Sequence, residues 1–381
     1  MTTGFKQGST PFHLGAFVTL GCAVLLLGPS LDTFRADAHV TLSKIGLLIA
    51  TSSVGYLLGS VTTGRLLQTQ PAHRTLGGGL IIVAIALAVL TSMHGLVGLA
   101  VFECLLGFGG AMIDVTGNTV VLWVHKGGPV MNALHLAFGV GGILSPIIVS
   151  RSLLWTGEIR AGYLLVAAVM VVLAVVILRR PSPKNPHLAG ERGFPKGVTR
   201  LIVLAVLFFV AYAWLELGFA TWIFTYASAR GLDPLRGAAW LGTAFLASFS
   251  VGRLVAIPIS AKVAAKYIML ADFAIVVAGL LTLLVGGRNL AAMWAGTILV
   301  GLGTASMFPS MLSLSEPNIP STSAVTSTFL VGSSIGSIFL PPIIGALIDR
   351  NGPAAMPAMV LAGTIVCGTI VAVFVRSAKH T

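Results

Sequence analysis

The chain has 381 residues, of which 56% are hydrophobic and only 9% are charged, whereas a soluble domain carries about a quarter charged residues. Such a chain cannot hide its apolar surface in water, so a soluble enzyme is excluded. The net charge of +12 does not point to nucleic acid, because the basic residues stand singly at the ends of apolar stretches and form no stripe or aromatic-interleaved patch.

The first apolar run, 13–32, follows a short polar stretch from Met1 to Pro11 and has no small-residue cleavage site, so it reads as a retained helix and not a signal peptide. Further runs follow at 41–66, 75–93, 96–124, 129–151, 161–179, 200–229, 236–261, 267–287, 291–315, 321–347 and 353–376. A bilayer crossing needs roughly 20 apolar residues, so these runs predict twelve transmembrane helices with no room for a separate catalytic domain. The three cysteines, Cys22, Cys104 and Cys367, fall inside such runs without zinc or disulfide spacing and read as packing residues.

The one long polar connection, 180–199, is rich in proline and basic residues and lies between six runs and six runs. It divides the chain into an N-terminal six-helix bundle (1–179), a cytoplasmic linker (180–199) and a C-terminal six-helix bundle (200–381). With the N-terminus inside, fifteen of the 23 basic residues fall on the cytoplasmic side, which the positive-inside rule favours. Both termini are therefore expected in the cytoplasm of a bacterial-type inner membrane.

The two halves echo each other. Gly64-Arg65-Leu66 in the second run recurs as Gly252-Arg253-Leu254 in the eighth, and Leu144-Ser-Pro146-Ile-Ile in the fifth recurs as Leu340-Pro-Pro342-Ile-Ile in the eleventh. Leu106-Gly-Phe-Gly109 in the fourth matches Val300-Gly-Leu-Gly303 in the tenth. Parallel repeats with a site between them at the membrane midplane are what this order implies. The 45 glycines permit close helix contact, as in Gly55-x-x-x-Gly59. Gly107-Phe-Gly109-Gly110 and Gly139-Val-Gly141-Gly142 have no preceding strand and so are not dinucleotide loops.

A carboxylate near the bilayer centre costs about 2.5–3.5 kcal/mol on insertion scales, so each deep acid should face protein or a watery cavity. Asp114 lies in the fourth run with Asn118 one turn later on the same face. Asn132 and His135 share a face of the fifth. Glu216 lies in the seventh among Tyr212, Trp214, Trp222, Phe224 and Tyr226, where rings beside one acid suit stacking on a sugar and bonding to its hydroxyls. Bland roles stay open: Asp114 as partner in an inter-helix network, His135 as a packing histidine, and the aromatics as core or interface residues. Glu103 and Asp272 read as structural acids, and Arg65 and Arg253 as arginines at cytoplasmic helix ends that either close a gate or snorkel.

At these residues the chain resembles the major facilitator superfamily, within it the sodium-dependent glucose transporter branch, and more distantly fucose permease. The matching segments are Leu27-Gly-Pro-Ser-Leu-Asp32, Gly55-Tyr-Leu-Leu-Gly-Ser60, Ile113-Asp114-x-x-Gly-Asn118, and the block from Gly128 through Asn132 and His135 to Gly139. Glu216-x-Gly218 with Trp222-Ile-Phe-Thr-Tyr226, Phe308-Pro-Ser310, and Val331-Gly-Ser-Ser-Ile-Gly336 are similar in the second half. After the second run, Thr63-Gly-Arg65-Leu-Leu-Gln-Thr-Gln70 lacks the aspartate common in the superfamily.

The resemblance implies an all-α membrane transporter and not an enzyme, without a cofactor, working as a monomer in the lipid bilayer on a small-molecule substrate. The expectation is symport of a neutral sugar with sodium or protons, with proton-driven export of amphipathic compounds as the alternative. The substrate-binding residues would be Asn118, Asn132, His135, Glu216, Trp222 and Tyr226. The ion-coupling residues would be Asp114 and Glu216, the gating residues Arg65 and Arg253, with no metal site.

Overall fold

The computed structural model describes residues 10–39, 47–124, 128–184, 198–232 and 239–378. Most of the expected linker 180–199 lies outside them, as do Lys6, Lys126, Arg192, Lys196 and Lys379 of the expected basic side. Fourteen helices fill the described residues: α1 (Thr10–Leu25), α2 (Leu27–Asp37), α3 (Leu47–Leu66), α4 (Ala72–Leu90), α5 (Leu96–Val124), α6 (Gly128–Thr156), α7 (Arg160–Leu178), α8 (Thr199–Ala229), α9 (Ala239–Ser260), α10 (Ala265–Gly286), α11 (Leu290–Thr304), α12 (Met307–Ser315), α13 (Ser323–Asn351) and α14 (Ala355–Ala378).

Two of the expected crossings are broken, each beside a proline that has no N–H to give to the carbonyl four residues earlier. Pro29 follows the interruption between α1 and α2, and Pro309 follows the one between α11 and α12. Counting each broken pair once, the helices correspond to the twelve apolar runs, and eleven are long and apolar enough to cross a membrane among the described residues. The exception is α3, whose 20 residues include Thr51, Ser52, Ser53, Ser60, Thr62, Thr63 and Arg65.

The outer surface is apolar, with Val285, Trp155, Leu270 and Val172 all strongly exposed. That inversion suits lipid, which solvates apolar side chains but not backbone polar groups. The buried polar residues instead lie inside the two compact units into which the chain divides. The first holds Met1–Lys126, Leu134–Phe194 and Ser321–Leu330, and the second holds Gly127–Ala133, Pro195–Pro320 and Val331–Thr381.

In the first unit α5 packs against α3 and α4, and α4 against α7. In the second α11 packs against α9 and α10, and α10 against α14, so the same pairing order recurs. Glycine makes the equivalent contacts. A Cβ on Gly79 of α4 would come 2.9 Å from the Gly109 carbonyl of α5, and one on Gly109 would come 2.9 Å from the Gly79 carbonyl. Gly279 of α10 and Gly296 of α11 repeat this reciprocal pair at 2.8 Å in both directions. Without a hydrophobic drive between helices in lipid, such backbone contact is what holds them together.

Gly279→Ala is therefore expected to cost about 1–3 kcal/mol through overpacking against backbone, while Gly242→Ala, where an added Cβ meets nothing within 4 Å, leaves stability unchanged or slightly raised. Thermal unfolding of the purified variants in detergent checks both; equal melting temperatures for the two would remove the close-contact account.

Candidate functional site

In the first unit the deep acid is built into a network across three helices. Asn118 donates from Nδ2 to Asp114 Oδ1 at 2.7 Å and to the Asp114 carbonyl at 2.9 Å, as residues one turn apart on α5 can. Tyr56 of α3 donates its hydroxyl hydrogen to Asp114 Oδ2. Both carboxyl oxygens therefore have a donor.

The far side of Asn118 carries the network to α6, where Asn118 Oδ1 lies 3.2 Å from His135 Nε2. Since the amide nitrogen of Asn118 is committed to Asp114, its oxygen must accept here, so His135 Nε2 carries the hydrogen. Phe17 of α1 meets the His135 ring edge-on, with centroids 6.1 Å apart. Asn118 and His135 are buried, whereas Tyr56 and Asp114 are only half-buried. Tyr56 and Asp114 are thus the half-buried members of the network, and the amide of Asn118 and the imidazole of His135 are its buried members.

Tyr56 reaches Asp114 because α3 and α5 nearly touch. An added Cβ on Gly55 would run into the Cys104 carbonyl, one on Gly59 into the Phe108 carbonyl, and one on Gly107 into the Ser52 carbonyl. Tyr56 is not among the site residues expected from the sequence, where its one signal is its place next to Gly55 in the glycine-spaced face of α3.

Asn132 does not join this network, although it stands one turn before His135. It belongs to the second unit, where its Nδ2 donates to the Gly128 carbonyl at 3.0 Å and lies 3.3 Å from Ser260 Oγ.

The polar centre of the second unit forms around the break between α11 and α12. Pro309 leaves the Ala305 carbonyl without its helical donor, and Arg253 Nε of α9 approaches that oxygen at 3.3 Å. The preceding carbonyl, Thr304, accepts from the Tyr212 hydroxyl at 3.2 Å, and Ser306 in the break donates to Asp272 Oδ2 at 2.6 Å. Glu216, one turn beyond Tyr212 on α8, hydrogen-bonds with the Tyr212 hydroxyl and lies within electrostatic reach of Arg253. The Arg253 guanidinium also covers the Phe249 ring at 4.1 Å.

The two arginines of the repeated Gly-Arg-Leu tripeptide thus differ. Arg65 is exposed in the last turn of α3, beside Gly64, whose carbonyl accepts from Ser323 Oγ at 3.0 Å. Arg253 is buried about two turns before the end of α9, where it serves the helix break and Glu216. Tyr226 is also interior: its hydroxyl donates to the Leu283 carbonyl at 2.8 Å and its ring is fully buried. Trp222 is half-buried, and Gly345 of α13 leaves room for its ring.

Residues 14–315 match the Major Facilitator Superfamily. The chain belongs to that superfamily. It is a multi-pass membrane transporter and not an enzyme, and it is related to sodium-dependent glucose transporters and sugar symporters. It is 23% identical over 375 residues to the human sodium-dependent glucose transporter 1, covering 87% of this chain and 72% of that protein. Sodium-dependent glucose transporter 1A of Mus musculus is 24% identical, with 87% of this chain and 88% of that protein covered. Among solved structures, the superfamily transporter FucP in an outward conformation superposes with a TM-score of 0.79 at 18% identity, over 96% of this chain and 99% of that one. The proton:xylose symporter XylE bound to 6-bromo-6-deoxy-D-glucose also gives 0.79, at 11% identity over 96% and 95%.

For this member of the superfamily, Arg253→Met should destabilise the fold by on the order of 3 kcal/mol, because it strips a buried carboxyl of its counter-charge and a carbonyl of its donor. Glu216→Gln in the same chain should recover part of that loss. A double-mutant cycle on thermal stability measures the coupling, and strictly additive effects would contradict the pairing.

Proposed function

We propose that the chain takes up a small neutral sugar by symport with sodium or protons, through alternating access of two six-helix halves, 1–179 and 200–381, joined by 180–199. The observation that carries this reading is the half-buried Tyr56–Asp114 pair backed by Asn118 and His135. It offers a phenol and a carboxyl to hydroxyl groups, and a charge that an ion can neutralise.

In this reading Asp114 couples ion to cargo, while Asn118 and His135 orient its carboxyl. Glu216 is the second coupling acid. The single hydrogen of the Tyr212 hydroxyl has two acceptors, the Thr304 carbonyl and the Glu216 carboxyl; a proton on Glu216 satisfies both bonds at once. Trp222 supplies a ring for stacking, and Asn132 and Tyr226 support the fold around their helices. Arg65, at the end of α3, belongs to the cytoplasmic gate, with both termini cytoplasmic in a bacterial-type inner membrane. The names of the relatives support both the cargo class and ion coupling, one being described as sodium-dependent and others as fucose:proton and proton:xylose symporters.

The test is uptake of a radiolabelled sugar panel into proteoliposomes under separately imposed sodium and proton gradients. One sugar is expected to accumulate under one gradient. Absence of all sugar uptake together with proton-driven efflux of an amphipathic dye would replace this reading by export.

A further inference from the structure

A second polar cluster in the first unit takes no part in the Asp114 network. Glu103 lies on α5 eleven residues before Asp114, about 16 Å along the helix axis. Its side chain is 2% exposed. The Ser52 hydroxyl of α3 hydrogen-bonds to its carboxyl, but Oε1 has no hydrogen-bond partner. No basic side chain among the described residues pairs with it.

Across from it, Tyr163 of α7 is 1% exposed and Ser30 of α2 is fully buried. Their hydroxyls approach one another, with Tyr163 in electrostatic reach of Glu103, yet neither hydroxyl completes a hydrogen bond of good geometry. Phe34 packs edge-on against the Tyr163 ring with centroids 5.9 Å apart, closing the cluster on one side with an apolar ring. Four helices thus bring four side chains with five oxygens into one region, and three of those oxygens are orphans.

Orphaned buried oxygens cost free energy that native structures rarely leave uncompensated. A proton on Glu103 would supply one hydrogen to one acceptor and leave the other hydroxyls as they are. A hard cation takes several oxygen ligands at once, and one carboxylate balances one positive charge, whereas a divalent ion would leave a net charge in the apolar interior. We propose that Ser30, Ser52, Glu103 and Tyr163 form a binding site for a monovalent hard cation, sodium. The site is independent of the coupling role given to Asp114.

The experiment is thermal unfolding of the purified full chain in sodium chloride against choline chloride at equal ionic strength, repeated at two pH values, which reads binding without transport. Sodium should raise the melting temperature of the wild type with a saturable midpoint. In the Asp114→Asn background, where no sodium bound at Asp114 contributes, Glu103→Gln should abolish the rise, and Ser30→Ala, which keeps the charge and removes one ligand, should weaken the midpoint about tenfold. Asp114→Asn should keep the rise. The proposal is overturned by equal melting in sodium and choline, by a melting temperature that follows pH but not sodium, by a sodium rise that survives Glu103→Gln in the Asp114→Asn background, or by a rise wholly lost in Asp114→Asn alone. If Glu103→Gln does not fold, the Ser30→Ala midpoint decides: an unchanged value overturns the site.

Discussion

Backbone contact through glycine is the interaction on which the rest of this transporter depends. Lipid offers no hydrophobic reward for bringing one apolar helix against another, so association rests on packing and on bonds between helices. Where α3 meets α5, the residues at the contact are Gly55, Gly59 and Gly107, and each faces a carbonyl of the other helix. That approach sets the distance over which Tyr56 reaches Asp114 and Ser52 reaches Glu103. A helix pair held apart by alanine methyls would leave both acids without these hydroxyls. The polar chemistry of the first unit is therefore a consequence of its smallest residues.

The second unit reaches a comparable result by breaking a helix. Pro309 has no amide hydrogen for the Ala305 carbonyl, which accepts from Arg253 instead, and the neighbouring Thr304 carbonyl at the break accepts from Tyr212. Those two side chains in turn engage Glu216. Irregular backbone at membrane depth is tolerated only when protein groups satisfy it, so the break and the charged residues stabilise one another. Arg253 serves three neighbours at once, the Ala305 carbonyl, Glu216 and the Phe249 ring, which accounts for an arginine so deep in an apolar helix.

The fold was legible in the sequence because apolar length is a strong signal: among the described residues each of the twelve runs is helical, two of them interrupted once. The acids Asp114 and Glu216 were also legible, since a carboxyl in an apolar helix stands out by its cost alone. Their partners were not. Tyr56 looks like any aromatic residue in a helix, and only the three-dimensional approach of α3 gives it Asp114. Asn132 and His135 share a helix face by spacing, yet Asn132 bonds toward Ser260 and His135 toward Asn118. Arg65 and Arg253 share a tripeptide, but the surroundings that differ, a helix end for one and a broken helix for the other, come from distant positions. The orphaned oxygens around Glu103 come from four helices and leave no local pattern.

The central claim, that Asp114 couples ion movement to cargo while its neighbours orient it, is tested most directly by comparing two assays on one variant. Counterflow exchanges labelled for unlabelled cargo and needs no ion gradient, whereas accumulation does. Asp114→Asn keeps the shape and an acceptor for Tyr56, removes the charge, and turns the oxygen that accepts from Asn118 into a donor. The account predicts that this variant, in proteoliposomes, retains counterflow and loses gradient-driven accumulation. Full accumulation at the wild-type level would contradict it.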